Sequence, residues 1–243
     1  MSNLLKQNSH GNNVSILIKK ENGLITKFTR NKNSYFYINN ELKGLNWYSK
    51  KLKESKKVFL INNYKDYVSL DINLHEGKSV FYRSYLRYTY KYLNIFIDHY
   101  IDIWDDKNNS KIHGDLTLSN ILFENKKPYI IDWEHFYEGH SLWGFDLVYL
   151  VLSSLLFPQK KYSNFNKKDL LIFKELWLKL MQLNIDEELI SQPLTYFRRY
   201  FKSNEFWLKI LKDSPKKLYP VNISGDIADY IEDEIIKPIY SNI

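Results

Sequence analysis

The chain has no cysteine, which excludes disulfides, thiolate metal clusters and a cysteine nucleophile and fits a reducing compartment. Its single alanine, Ala228, against an abundance of Asn, Lys, Ile and Tyr, reads as base composition in the gene rather than selection for binding. Long apolar runs are missing too. The greasiest stretch, Leu142–Phe157, carries Asp146 and is shorter than the ~20 apolar residues that cross a bilayer, so a buried helix is expected there. Met1–Gln7 lacks the apolar run of a signal peptide, and a cytoplasmic protein is expected.

What is present is enough for a folded core. The 243 residues are 44% hydrophobic and 16% aromatic, which excludes disorder and implies one large or two small domains. The 35 Lys+Arg against 28 Asp+Glu leave +7, which could favour nucleotides, anionic lipid surfaces or nucleic acid. The lysines are scattered, however. Their densest run, Lys50, Lys51, Lys53, Lys56 and Lys57, ends a helical pattern and reads as a solvated helix end. Nucleic acid is therefore not an expected partner, while peripheral contact with an anionic membrane surface stays open.

Three apolar clusters open the chain: Leu4-Leu5, Val14/Ile16/Ile18 and Leu24/Ile25/Phe28, the last two joined by the hairpin-type turn Glu21-Asn22-Gly23. Ile38, Leu42, Leu45, Tyr48 and Leu52 then recur at helical spacing between Tyr35 and Lys53. Val58–Ile61 and Tyr67–Ile72 are strand candidates around the polar turn Asn62-Asn63. Val80–Trp104 is helical and aromatic, and after Asp132 the pattern predicts helices near 145–157, 167–183, 187–202 and 226–236. Between these blocks, Ile121–Phe123 and Tyr129–Ile131 form a lone hairpin through Asn125-Lys126-Lys127-Pro128. A β-rich unit over 1–74 followed by a larger helical unit over 75–243 is expected.

Chemistry concentrates in Ile112–Glu134, IHGDLTLSNILFENKKPYIIDWE. Asp115 is followed five residues later by Asn120, and the hairpin that follows ends at Asp132. Two strands turning back on each other bring Asn120 and Asp132 near one place, as oxygen ligands suited to Mg²⁺. Asp115 beside them can accept a proton from a hydroxyl and orient it toward phosphorus. Asp and Asn are also common turn residues at strand ends.

This pattern resembles the H-x-D-x-x-x-x-N catalytic loop and metal-binding Asp of protein-kinase-like proteins. In the form His113-Gly114-Asp115 with Asp132-Trp133-Glu134, it is similar to the aminoglycoside phosphotransferase and choline kinase family. The resemblance implies an α+β, bilobal protein-kinase-like fold with a small β-rich N-lobe carrying one helix and a mainly helical C-lobe. It implies Asp115 as catalytic base, Asn120 and Asp132 as metal ligands, and His113 as a brace for the loop. Asp146, in Gly144-Phe145-Asp146, would support the loop, although an acid is also simply favoured at a helix N-terminus. Lys27 on the third strand would reach the nucleotide phosphates, tethered by Glu41 on the next helix. The loop Asn8–Asn13 would cover the phosphates without matching G-x-G-x-x-G, and backbone amides near Leu70–Leu74 would bind the purine of ATP or GTP.

Three departures separate the chain from protein kinases: Gly114 replaces an arginine, Thr117 replaces a lysine, and no A-P-E motif exists. The acceptor implied is a small molecule or glycan. A choline- or ethanolamine-like amino alcohol or an aminoglycoside is favoured, with Trp133, Tyr137, Trp143 and Glu134 as cation-cage candidates, although in a chain so rich in aromatics any given ring is more often core. The alternatives are a sugar kinase acting on a lipopolysaccharide or surface polysaccharide precursor, and a pseudokinase that binds nucleotide without transferring phosphate.

Overall fold

The computed structural model describes residues 7–8, 15–19, 23–53, 59–73, 75–80, 84–108, 111–139, 141–158, 165–213 and 225–241. Five short strands, β1 (Gln7–Asn8), β2 (Ser15–Lys19), β3 (Leu24–Thr29), β4 (Leu60–Asn63) and β5 (Val68–Asn73), form an antiparallel sheet in the order β1-β2-β3-β5-β4. The period of two along β3 and β5 divides their residues between the faces. Lys27 and Thr29 of β3, with Val68, Leu70 and Ile72 of β5, are buried on the face that packs against α1 (Tyr35–Lys51). The opposite face carries Thr26, Phe28, Ser69 and Asp71, paired Thr26↔Asp71 and Phe28↔Ser69.

A second sheet, β6 (Lys78–Ser79), β7 (Ile121–Glu124) and β8 (Lys127–Ile130), is antiparallel and ordered β6-β7-β8. The expected lone hairpin therefore has a third strand. Two exposed residues carry no alternation that periodicity could detect. The turn between β7 and β8 is tighter than expected, with Asn125 and Lys126 at φ 48° and 67° and Lys127-Pro128 already in the strand.

The remaining described elements are helical: 3-10 turns at Lys32–Ser34 and Leu118–Asn120, α2 (Leu86–Ile103), α3 (Phe145–Leu156), α4 (Lys167–Met181), α5 (Glu187–Ser191), α6 (Pro193–Phe201), α7 (Glu205–Asp213), α8 (Gly225–Asp229), a π-helical stretch Tyr230–Ile236 and α9 (Lys237–Tyr240). The single helix expected over 187–202 is two, because Pro193 lacks the N–H an uninterrupted helix would use and instead opens α6. The helix expected from Val80 begins at Leu86. Asn62-Asn63 belongs to β4, and the turn lies at Tyr64–Tyr67, closed by the Tyr64 N–H donating to Tyr67 O at 2.9 Å. Leu4-Leu5, Glu21-Asn22, Lys56 and Lys57 lie outside the described residues. No described helix is long and apolar enough to cross a membrane.

Aromatic packing joins α1 to the rest. Trp133 is fully buried, tilted against Tyr48 at 5.2 Å and stacked on Trp104 at 6.2 Å, with Trp47 at 5.7 Å. Tyr48 also accepts the Ile130 N–H at 3.3 Å, and its hydroxyl lies 3.0 Å from His99 Nε2. α1, which carries Glu41, is thus held to the hairpin that ends at Asp132.

Candidate active site

The segment from His113 to Phe136 is pinned at its base by a bridge between Ile112 and Tyr137, each N–H donating to the other's carbonyl at 3.0 and 2.9 Å. Within it the chain turns sharply at Gly114, φ 86°. A Cβ there would lie 2.7 Å from His135 O and 2.8 Å from Trp207 Cη2, so only glycine fits. This accounts physically for the residue that stands where protein kinases have arginine.

Asp146 secures the turn from behind. On the first turn of α3, it accepts the His113 N–H on Oδ2 at 2.7 Å and the Gly114 N–H on Oδ1 at 3.0 Å. Burial pushes its carboxyl up to about 7, against the pull of those two donors. His113 is fully buried, with Nε2 2.9 Å from Ile131 O and Nδ1 accepting the Asp115 N–H at 3.3 Å. That pairing assigns the proton to Nε2 and requires a neutral ring. Burial lowers its pKa to about 4.

Asp115 and Asn120 are joined directly, Asn120 Nδ2 donating to Asp115 O at 2.8 Å. With its amide nitrogen so used, Asn120 has its side-chain oxygen as the donor for a cation. Its backbone carbonyl accepts the Ile131 N–H at 3.0 Å, which sets Asn120 across the hairpin from the residue preceding Asp132. Asp132 adopts φ 64°, a left-handed conformation that Asp tolerates better than most residues. The described residues include no group of three or more His, Cys, Asp or Glu placed to hold a metal. The candidate donor set is one carboxylate and one amide oxygen.

Lys27 reaches this group from β3. Its ammonium lies 2.7 Å from Asp132 Oδ1 and 2.9 Å from Glu41 Oε2, and both Lys27 and Glu41 are buried. Burial works against its charge, but Asp132, Glu41 and Glu134 outweigh it and raise the pKa. Burial raises Glu41 to about 7, against Lys27, which favours its charge.

Two site features had no specific sequence signal. Tyr149, one turn beyond Asp146 on α3 and fully buried, donates its hydroxyl to Asp115 Oδ1 at 3.4 Å. Asn40 on α1 donates to Glu134 O at 3.3 Å, tying the helix to the residues just after Asp132. Helical spacing from Asp146 could have indicated Tyr149, but an apolar helix offers many buried tyrosines by the same rule. The structure decides one open alternative and corrects one expectation. The cage candidates Trp133 and Trp143 are core: their ring N–H groups donate to Ile130 O and Trp104 O at 3.2 and 2.6 Å. The purine amides cannot come from Leu70 and Asp71, which are paired with β3 on one side and β4 on the other. Of the loop Asn8–Asn13 only Asn8 is described, in β1, and Leu74 also lies outside the described residues.

No protein-family model matches the sequence, and no curated protein matches it. Among solved structures, the chain is similar to an amicoumacin kinase, hAmiN, in complex with AMP-PNP, Ca²⁺ and Ami. The match covers 99% of this chain and 92% of that one, with a TM-score of 0.50 and 12% sequence identity. A likeness of this extent at so low an identity is one of fold: this α+β chain shares the fold of that structure over nearly its whole length.

Proposed function

We propose that the protein is a phosphotransferase that moves the γ-phosphate of a nucleoside triphosphate, ATP or GTP, onto a hydroxyl of a small molecule or glycan. The observation that carries this reading is the Lys27 ammonium held between Glu41 and Asp132, beside a loop that joins Asp115 to Asn120. The kinase with the similar fold was solved with AMP-PNP, Ca²⁺ and Ami, which supports a nucleotide, a divalent cation and a small-molecule acceptor as the components to test.

Asp132 and the Asn120 side-chain oxygen are hard donors of the kind Mg²⁺ takes while keeping waters and phosphate oxygens as its other ligands. Bound Mg²⁺ supplies charge neutralisation at the phosphates. Lys27 turns from Asp132 to the phosphates while Glu41 keeps hold of it. Asp115 accepts a hydrogen bond from the acceptor hydroxyl and aligns its oxygen with the γ-phosphorus. As the new P–O bond forms, Asp115 takes the proton, the bond to the bridging oxygen breaks, and the nucleoside diphosphate leaves. The geometry favours no particular acceptor. With Trp133 and Trp143 in the core, an amino alcohol loses two of its proposed cage residues, and sugars stand level with it.

Nucleotide turnover with a panel of amino alcohols, aminoglycosides and sugars tests the reading. Asp115→Asn should leave Mg-nucleotide affinity nearly unchanged and cut turnover by about 10²–10⁴-fold, whereas Asp132→Ala should weaken Mg-nucleotide binding itself. Full turnover in both variants refutes the assignment. Wild-type binding of Mg-ATP without transfer to any acceptor in the panel would favour a nucleotide-binding module.

A further inference from the structure

The face of the five-stranded sheet opposite Lys27 holds a cavity of about 300 Å³ lined by Thr26, Phe28 and Arg30 of the β3 segment, Asn62 and Tyr64 of the β4 end, and Tyr67, Ser69 and Asp71 of the β5 segment. Lys27 and Glu41 lie on the other side, so the catalytic reading accounts for none of these residues.

Three features give the cavity a chemical character. First, Tyr64 and Tyr67 stack with centroids 4.2 Å apart and planes 18° from parallel, and Phe28 meets Tyr67 edge-on at 6.5 Å. Tyr64 is half exposed, so the stack presents an open aromatic platform. Second, Asp71 lies between two donors, Thr26 Oγ1 at 2.5 Å on Oδ1 and Asn62 Nδ2 at 3.3 Å on Oδ2. A carboxylate has about four acceptor positions, so these bonds fix its orientation and leave capacity for further donors. Ser69 is buried beside it and also lines the cavity. Third, the charges are separated. Asp71 pairs with Thr26 at one end, and Arg30 lies four residues along β3, about 13 Å away at strand rise.

We propose that this cavity is a second binding site, for a saccharide. A pyranose presents an apolar C–H face and a rim of hydroxyls that each donate and accept. Here the face would lie on the Tyr64/Tyr67 platform and the rim on Asp71, Asn62 and Ser69. The volume fits a ring of that size, at the small end of ligand pockets. Arg30 at the open end adds a preference for a sugar bearing a phosphate or carboxylate. The site does not depend on the catalytic assignment.

Saturation-transfer NMR on the full chain tests this with glucose, N-acetylglucosamine, glucose 6-phosphate and glucuronate as probes. Saturation of the sugar ring protons is expected, with the anionic sugars binding several-fold tighter than glucose. Tyr64→Ala, at an exposed position, should weaken all four by about tenfold, the scale of one lost contact of this kind, without changing nucleotide turnover. Asp71→Ala should do the same, and Arg30→Ala should remove only the preference for the anionic sugars. Three results overturn the proposal: no saturation of any probe; binding that survives Tyr64→Ala but vanishes in Asp115→Asn, which assigns the sugar to the acceptor site; and inorganic phosphate displacing glucose 6-phosphate while glucose never binds, which leaves a bare anion contact at Arg30.

Discussion

Gly44→Ala tests whether packing behind the site sets its geometry. Gly44 sits on the buried face of α1, and a Cβ there would lie 2.6 Å from Trp133 Cβ, 2.8 Å from Cε3 and 2.9 Å from Cγ. Carbon atoms in contact prefer about 3.5–4.0 Å, so the helix or the indole must retreat by about 1 Å. Trp133 is wedged among Tyr48, Trp104 and Phe136 and has nowhere to go; α1 is the part that moves. Glu41, less than one turn earlier, moves with it. An ion pair of 2.9 Å then opens to about 4 Å, past hydrogen-bond range. Overpacking costs about 1–3 kcal/mol, and replacing a helical glycine by alanine returns about 1 kcal/mol. The net expectation is a loss of about 0–2 kcal/mol, or a Tm lower by up to about 8 °C for a chain of this size. If Lys27 and Glu41 position the phosphates as proposed, displacing the pair by ~1 Å should cost about 10²-fold in kcat/KM. Thermal unfolding and steady-state kinetics on one preparation decide the matter. A higher Tm with unchanged kcat/KM would mean that α1 gains helix propensity without being pushed, and the coupling between Trp133 and Glu41 would be refuted.

Two further outcomes follow from the same geometry. The folded protein holds His113 neutral down to about pH 4, whereas the unfolded chain protonates it near 6.5. The unfolded state therefore binds the extra proton between those values, and this histidine's contribution is present above about 6.5 and lost as pH falls toward 4. Asp146 and Glu41, raised to about 7 by burial, act in the opposite sense and flatten the total profile. The difference between wild type and His113→Gln, followed by urea unfolding from pH 7.5 to 4.5, isolates the histidine; it should hold steady down to about 6.5 and below that narrow by up to about 1.4 kcal/mol per pH unit, and a constant difference throughout would contradict a neutral His113. For Tyr149→Phe, loss of the donor to Asp115 should reduce kcat by about 3–10-fold with KM and Mg-nucleotide affinity unchanged. In an Asp115→Asn background the same change should add nothing, whereas an equal loss in both backgrounds would make Tyr149 a packing residue only.

Much of the site was legible before folding because it is local. Asp115, Asn120 and Asp132 fall within eighteen residues, and a short hairpin leaves few ways to arrange them. Lys27 and Glu41 were legible only through family resemblance, since neither stands out among 35 basic and 28 acidic residues. Helical and strand periodicity located most elements, because an apolar stripe is written in the spacing of the residues that form it. It failed where the deciding feature was not periodic: at Pro193, which breaks a continuous apolar pattern, and at Lys78–Ser79, a strand made only by its partner.

Other features exist only in three dimensions. Trp133 sits between two candidate site residues in sequence, yet it is the buried floor under α1. Tyr149 meets Asp115 across 34 residues, and Thr26 meets Asp71 across 45. The sequence by itself determined which side chains carry oxygen, charge or a ring, and what the chain does locally with them. The tertiary structure decided which are buried together, because burial and long-range pairing depend on how whole helices and sheets fill space against one another, which the spacing of neighbouring residues does not encode.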